Sequence, residues 1–554
     1  MLISLTIFGA TLKPIFLAEE LLITYGLKPF DICSSNANLW QYIKLIYIIT
    51  FFTSNLIISN LIYNKIPFKE KQNNRKIKKE SEKSNELKLL IGCNTKTGEK
   101  IYLPKSGLFQ NFLITGTIGS GKTSSAMYPF TKQLIEYNYL NPDKKIGMLI
   151  LDVKGNYYSQ VKKYVEKYNL VNDLVVIELG SKITYNPLHK PNLKPIVLAN
   201  RLKTILELFS ENNSESYWLD KSEQILAEAI KLCRLYNDGY VTFSEIHNLI
   251  TIPNYYKEKI KKLKELFISN KLNIEQIYEL NMALVFFERE FENLDQRTSS
   301  ILKSEITRIT NTFISDYNVL KTFSPKREEL TFLGFENVIK NGKIVVLNMN
   351  IAEYKNLSKI IAAYLKLDFQ TEIMKSLSNK NERITAFICD EYAEYVTKTD
   401  SDFFALSREA KCINIVSTQS YSSLKNTLKD ETSVKVICQN LINKIWFRTD
   451  DIFTIEESQK QLGKEDKEKI SKNISESAKQ TKYNYLTKSL VNKDSSISES
   501  LNIYTQNDYV YDTNFFTQQL ETFNSLGFLS DGNKILKPTK IKMCPYFMEE
   551  EGLL

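Results

Sequence analysis

The run GTIGSGKTSS at 116–125 limits what this chain can fold into more than any other segment. It fits the pattern G-x-x-x-x-G-K-[ST], with Gly116, Gly121, Lys122 and Thr123 in register. Backbone N–H groups close on phosphate oxygens only where no Cβ holds the chain away, and Gly116, Gly119 and Gly121 meet that need. Thr117, Ser120 and Ser124 complete the expected cradle. Lys122 brings a positive charge toward the β- and γ-phosphates, and the Thr123 hydroxyl can ligand Mg²⁺. NFLIT (111–115) before the loop reads as a buried strand, and SSAMYPFTKQLIEY after it reads as a helix. This context points to a nucleotide site for ATP and Mg²⁺.

Further strands of the same kind follow. IGMLILDV (146–153), DLVVIEL (173–179), KIVVLNM (343–349), TAFICDE (385–391), CINIVST (412–418) and NKIWFRT (443–449) are continuous apolar runs. Strands buried on both faces read this way, so the fold class expected is α/β with a parallel sheet. LKLLIG (87–92) and KIYLP (100–104) suggest a small β lead-in. From Gly180 to Gly334 the only glycine is Gly239, and runs such as SEQILAEAIKLCRLY (222–236) keep helical spacing. An all-α insertion is therefore expected over 199–325, inside a nucleotide-binding domain formed by 87–198 and 326–554. The Lys-, Ser- and Glu-rich stretch 454–511 reads as an exposed helix–loop excursion, and NFFTQQLETFNSLGFL with KILKPTKIKMCPYF as a closing helix and strand.

At 554 residues and 43% hydrophobic the chain holds more than one domain and a large core. Its net charge of +9 permits a polyanionic partner without demanding one. Seven scattered cysteines without a C-x-x-C pair argue for reduced thiols and against a disulfide framework. Residues 45–63 carry no charge over nineteen positions, long enough for a membrane-spanning helix. The fifteen residues after Asn64 hold seven basic groups and one acidic, which places the rest of the chain in the cytoplasm. Residues 1–64 are thus expected to be a membrane anchor and 65–86 a polar linker. The segment 2–26, interrupted by Lys13, Pro14, Glu19 and Glu20, is either a second span or an interfacial arm.

Three segments supply candidates for chemistry. ICDEYAEY ends an apolar strand with adjacent carboxylates. Asp390 can hold Mg²⁺ together with Thr123, and Glu391 can take the proton of an attacking water. Gln419 in INIVSTQS, at the end of another strand, can sense the γ-phosphate or order that water. Arg408 in LSREAK could reach a neighbouring subunit's nucleotide as an arginine finger, with Arg448 a weaker candidate.

The order of these features resembles the type IV secretion coupling proteins, the TraG/TraD-type conjugation ATPases. The likeness runs from the N-terminal anchor through GTIGSGKTSS, LILDVKGNYYSQV (149–161), YNPLH (185–189), the helical insertion, ICDEYAEY, LSREAK and STQSYSSL. It covers roughly 90–450 and the anchor. The resemblance implies a RecA-like domain, an inserted all-α domain facing the cytoplasm, and six subunits in a ring. It implies a motor that moves DNA with its attached relaxase toward a type IV secretion channel. It also implies that Lys122 and Thr123 bind phosphate and Mg²⁺, and that Asp390 and Glu391 serve metal and water. Gln419 would sense nucleotide and Arg408 would be the finger supplied in trans. Gln110 departs from members that carry an Arg just before the phosphate-loop strand. Two other readings remain open: an FtsK/HerA-type DNA translocase, and a receptor for secreted protein cargo that ATP switches.

Overall fold

The computed structural model describes residues 42, 45, 49 and 53, and residues 86–550 apart from 153, 209–215, 270–271, 350, 355, 379–382, 478–481, 485–488 and 492–495. The chain divides into two units, 1–86 and 87–554. In the first, Tyr42, Leu45, Ile49 and Thr53 are helical, and the Thr53 hydroxyl donates to the Ile49 carbonyl at 2.9 Å. The remainder of the expected span 45–63, and the segment 2–26, lie outside the described residues. Among the described residues no helix is long and apolar enough to cross a membrane.

The second unit is built on strands β1 (Lys88–Asn94), β2 (Lys100–Pro104), β3 (Phe112–Thr115), β4 (Gly147–Leu151), β5 (Leu174–Ile177), β6 (Ile344–Leu347), β7 (Thr385–Cys389), β8 (Cys412–Thr418) and β9 (Asn443–Trp446). With β14 (Asn524–Phe528) and β15 (Thr539–Lys542) they form one eleven-stranded sheet, in the order β2-β1-β15-β14-β9-β3-β8-β7-β4-β6-β5. From β9 to β5 all pairs are parallel. From β9 outward the pairs β9–β14, β14–β15, β15–β1 and β1–β2 are antiparallel. The sheet is therefore mixed, because both ends of the unit return to one edge.

Alternation explains why the central strands are apolar at most positions. Leu113, Leu149, Leu151, Val345, Leu347 and Phe387 enter one buried cluster. Their neighbours Phe112, Ile114, Met148, Ile150, Ile344, Val346 and Ile388 enter another. Successive side chains leave opposite faces of a strand, so a sheet covered on both sides needs an apolar residue at nearly every position. Helices α1 (Tyr128–Leu140) and α2 (Tyr157–Lys167) feed the second cluster.

The first cluster continues without a break into the inserted helices. These are α3 (Pro195–Leu208), α4 (Ser216–Tyr236), α5 (Phe243–Thr251), α6 (Tyr255–Ile268), α7 (Ile274–Val285), α8 (Gln296–Thr312) and α9 (Tyr317–Phe323). Thr242, Asn273, Asp295 and Asp316 cap α5, α7, α8 and α9 through side-chain oxygens, the local signal that starts each helix. Helix α3 begins at Pro195, so a boundary at 199 falls inside it. A parallel bridge between Tyr185 and Phe332 closes the base of the insertion. Helices α10 (Phe335–Asn341) and α11 (Asn356–Ser378) then flank β6 in the chain. Helices α12 (Asp400–Leu406), α13 (Tyr421–Leu428), α14 (Glu431–Asn440) and α15 (Ile452–Leu462) follow.

The expected helix–loop excursion at 454–511 is corrected. After α15 the chain forms a two-stranded antiparallel ribbon of β10 (Lys464–Ser477) and β13 (Ser496–Tyr509). Between them β11 (Lys482–Asn484) pairs with β12 (Ser489–Val491). Ile470, Leu501 and Ile503 of the ribbon are all more than 60% exposed. Where the ribbon's side chains are described neither face is buried, which leaves no clear period of two in the sequence.

Candidate nucleotide site

The phosphate loop leaves the C-terminal end of β3 and turns into the helix that becomes α1. Gly121 has φ of +99°, and a Cβ there would lie 2.6 Å from the Phe523 ring. Phe523 is itself fastened to the loop, its N–H donating to the Ser120 carbonyl at 3.2 Å. At Gly116 a Cβ would lie 2.6 Å from Cβ of Phe447. The glycines thus let the loop press against β9 and against the turn before β14.

Lys122 is 6% exposed, and its ammonium donates to the Gly116 and Thr117 carbonyls. Burial pulls its pKa below the ordinary lysine value, with Glu391 and Asp390 pulling back. A buried cation whose hydrogen bonds go to carbonyls of the loop it stands in is poised to exchange them for an anion. The residues present therefore fit a nucleotide phosphate.

Strand order then brings in the carboxylates. Because β3, β8, β7 and β4 are adjacent and parallel, their C-terminal ends meet at one edge. Asp390, just past β7 and 1% exposed, accepts the Thr123 hydroxyl at 2.8 Å and the Ser417 hydroxyl from β8. That pair of oxygens, Thr123 Oγ1 and Asp390 Oδ2, is the set that would hold Mg²⁺. Glu391 has a left-handed backbone, φ +53° and ψ +46°. That conformation costs a non-glycine residue about 1–3 kcal/mol, and surrounding contacts must hold it. Gln419 at the end of β8 donates to Glu391 Oε2 at 3.3 Å, and Lys154 lies 3.2 Å from Oε1.

Lys154 and Ser417 belong to this constellation although sequence reasoning gave them no role. Lys154 follows the end of β4, and it reaches Glu391 only because β4 lies beside β7. Burial lowers the Lys154 pKa, but Glu391 and Asp390 outweigh it and raise it above its usual value. Asp152 is not free for a metal. It accepts the backbone N–H groups of Lys154, Asn156 and Tyr157 at 3.0–3.1 Å, fastening the turn into α2. Burial raises its pKa.

The two arginines separate. Arg408 is exposed in the turn before β8, at the opposite end of that strand from Gln419, about 20 Å of strand away. Among the described residues its side chain makes no hydrogen bond or ion pair. Within its own subunit it is therefore not part of the site. Arg448, the weaker candidate, follows β9 beside the phosphate loop, and its carbonyl accepts the Thr117 N–H at 2.8 Å. It lines a cleft of about 780 Å³ with Thr117, Ile118, Gln419 and Asp450.

Residues 385–501 match the family model of the TraM recognition site of TraD and TraG. That segment contains Asp390, Glu391, Arg408, Gln419 and the first part of β13. No curated protein matches the chain in sequence. In structure the chain is similar to the bacterial conjugative coupling protein TrwBdeltaN70 in its unbound monoclinic form, at 12% identity and a TM-score of 0.52, covering 83% of this chain and 89% of that one. It is similar to the plasmid coupling protein TrwB in complex with the non-hydrolysable GTP analogue GDPNP, at 12% identity and a TM-score of 0.52, covering 83% and 95%. The same holds for TrwB in complex with ADP and Mg²⁺, at 12% identity and a TM-score of 0.52, covering 82% and 89%. At such identities the likeness is one of fold. In its matched segment and in its fold, this chain resembles the type IV coupling proteins of conjugation.

Proposed function

We propose that this protein is a membrane-anchored, ATP-hydrolysing coupling protein that moves DNA, with its attached relaxase, toward a type IV secretion channel. The observation that carries the reading is the convergence of Lys122, Thr123, Asp390, Glu391 and Gln419 at the C-terminal ends of β3, β7 and β8. The coupling-protein match over 385–501 supports the choice among ATPases of this fold. Related folds hold nucleotide analogues, or ADP with Mg²⁺.

ATP with Mg²⁺, when bound, supplies a phosphoanhydride bond and the charge that screens it. The chain's residues do the rest. The phosphate loop presents backbone N–H groups and the Lys122 ammonium. Thr123 and Asp390 would hold the metal, and Ser417 fixes the Asp390 carboxylate. Glu391 takes the proton of the attacking water, and Gln419 orients that carboxylate. An Arg408 supplied by the neighbour in a six-membered ring would complete the site. DNA would be gripped through its phosphates, largely without regard to sequence.

ATP turnover measured with and without single-stranded DNA tests the reading. Turnover stimulated by DNA, and abolished in Lys122→Ala, is expected. Nucleotide binding without turnover would favour the cargo receptor that ATP only switches. Carbonate extraction of membranes tests the anchor, since a spanning helix stays with the lipid and a peripheral protein does not.

A further inference from the structure

Helix α11 carries two fully buried charges, Lys366 and Asp368. Burying a charge is costly unless it is paired and hydrogen-bonded. Both are, but with different parts of the molecule. Two positions on a helix lie about 200° apart, so the two side chains leave opposite faces.

Lys366 faces the chain that follows Glu391. Its ammonium donates to the Tyr395 carbonyl at 2.6 Å, to the Thr397 hydroxyl at 3.0 Å and to both oxygens of Asp400, at 2.8 and 2.6 Å. Asp400 also accepts the Tyr392 hydroxyl, the Thr397 N–H and the Gln370 amide, again from α11. Two turns nearer the start of the helix, Lys359 pairs with Glu394. Every residue from Tyr392 to Asp400 is thus within a few positions of an anchor on α11, and the segment begins at the strained backbone of Glu391.

Asp368 faces the insertion. It pairs with Arg201 of α3 at 2.7 Å and with Lys190, next to the YNPLH turn, at 2.8 Å, and it accepts the Tyr185 hydroxyl. Burial alone would raise its pKa, but Lys190 and Arg201 outweigh burial and hold it below the usual carboxylate range. Arg201 is the first buried charge of the inserted helices and lies over the Tyr364 ring, also on α11.

We propose that α11 is a rigid link between the inserted helices and the catalytic loop, in which Lys366 and Asp400 are positioning residues for Glu391 and the Asp368–Arg201–Lys190 cluster is the end that senses movement of the insertion. The catalytic importance of Glu391 rests on the ATPase reading above; the mechanical link does not. A shift of α3 relative to the sheet pulls on a carboxylate that cannot be left unpaired in a dry core. The same helix holds the Glu391 loop by a second ion pair that cannot be left unpaired either. The bound state of the insertion is then felt at the water-activating carboxylate.

The test is hydrogen–deuterium exchange of the segment 391–400 in the full chain. Arg201→Met leaves Asp368 with Lys190 and Tyr185, so the fold is kept while the link is loosened. Exchange at 391–400 should rise about fivefold, the scale of coupling through a packed network. Replacing Lys366 and Asp400 together by Met and Leu marks the exchange level of a released loop. Lys264→Met, which breaks an exposed pair with Glu288 within the insertion, should change nothing there. If Arg201→Met lowers the thermal midpoint too far, Lys190→Met is read in the same way. Wild-type exchange at 391–400 in the arginine or lysine variant overturns the link. Turnover is read in parallel. Arg201→Met should keep its basal rate within about twofold and lose stimulation by DNA. Absence of turnover in the wild type would sink the ATPase reading, and the exchange result would still decide the link.

Discussion

At the scale of residues, the site is a meeting of strand ends. Lys122, Thr123, Asp390, Glu391 and Gln419 stand out in the sequence because each follows an apolar strand with a polar group that the strand itself does not need. Lys154 and Ser417 did not stand out, because their role depends on which strand lies beside which, and strand order is not written locally. Lys154 gives the first prediction. Its pair with Glu391 is half exposed, so Lys154→Met should cost under about 1 kcal/mol of stability. Glu391 would then be held by Gln419 alone, and turnover should fall about tenfold, within the scope of one misplaced base. Unchanged turnover would mean that the lysine only solvates the carboxylate. Asp368 gives the second. Its folded pKa is depressed, so its stabilisation is complete above the unfolded value and is lost as pH falls through the folded one. Asp368→Asn leaves Lys190 and Arg201 without their buried counter-charge, at a cost of about 3–5 kcal/mol near neutral pH. Chemical denaturation from pH 7 down to pH 3 should show the difference between wild type and variant shrinking in the acid range. A difference independent of pH would contradict the ion-pair account.

At the scale of elements, the central strands were legible because both faces are buried and most positions are apolar. The inserted helices were legible from their spacing and their lack of glycine. The ribbon was not, because β10 and β13 bury neither face where their side chains are described, and their sequence mixes Lys, Glu, Ser and Ile without a period. Its isolation has a consequence. Gly463 and Val510 meet at its base, where the Val510 N–H donates to the Gly463 carbonyl at 3.2 Å. Replacing 464–509 by a short Gly-Ser linker should therefore leave the sheet intact. The thermal midpoint should move by less than about 1 °C, the shift that a loss of roughly 1 kcal/mol produces in a unit of this size. Nucleotide binding should be unchanged. A large loss of stability would show that the ribbon packs on the body more than its exposed Ile470 and Ile503 indicate.

At the scale of the whole molecule, the sheet joins distant parts of the chain. Its parallel half is a run of strand–helix units, legible in order. Its antiparallel wing of β14, β15, β1 and β2 comes from both ends of the unit, which no local pattern announces. That wing brings Phe523 against Gly121, so the C-terminal segment supports the phosphate loop. The position of Arg408, far from the site of its own subunit, calls for a neighbour if it acts on nucleotide. Arg408→Ala should bind ATP with near-normal affinity and lose about 10³-fold in turnover, as arginines supplied in trans do. Mixing it with Lys122→Ala should restore activity, because an intact pocket then meets an intact finger. A mixture no more active than either variant alone would place the arginine's role elsewhere.

The central claim is that the carboxylate after β7 activates water at a nucleotide bound by the loop after β3. Glu391→Gln separates these two functions, since Gln can keep the hydrogen bond with Gln419 but cannot accept the proton. Nucleotide affinity, measured with a fluorescent ATP analogue, and steady-state turnover should be read on the same preparation. The account predicts affinity within about twofold of wild type and a loss in turnover of at least ~10²-fold. Turnover at the wild-type rate would contradict it.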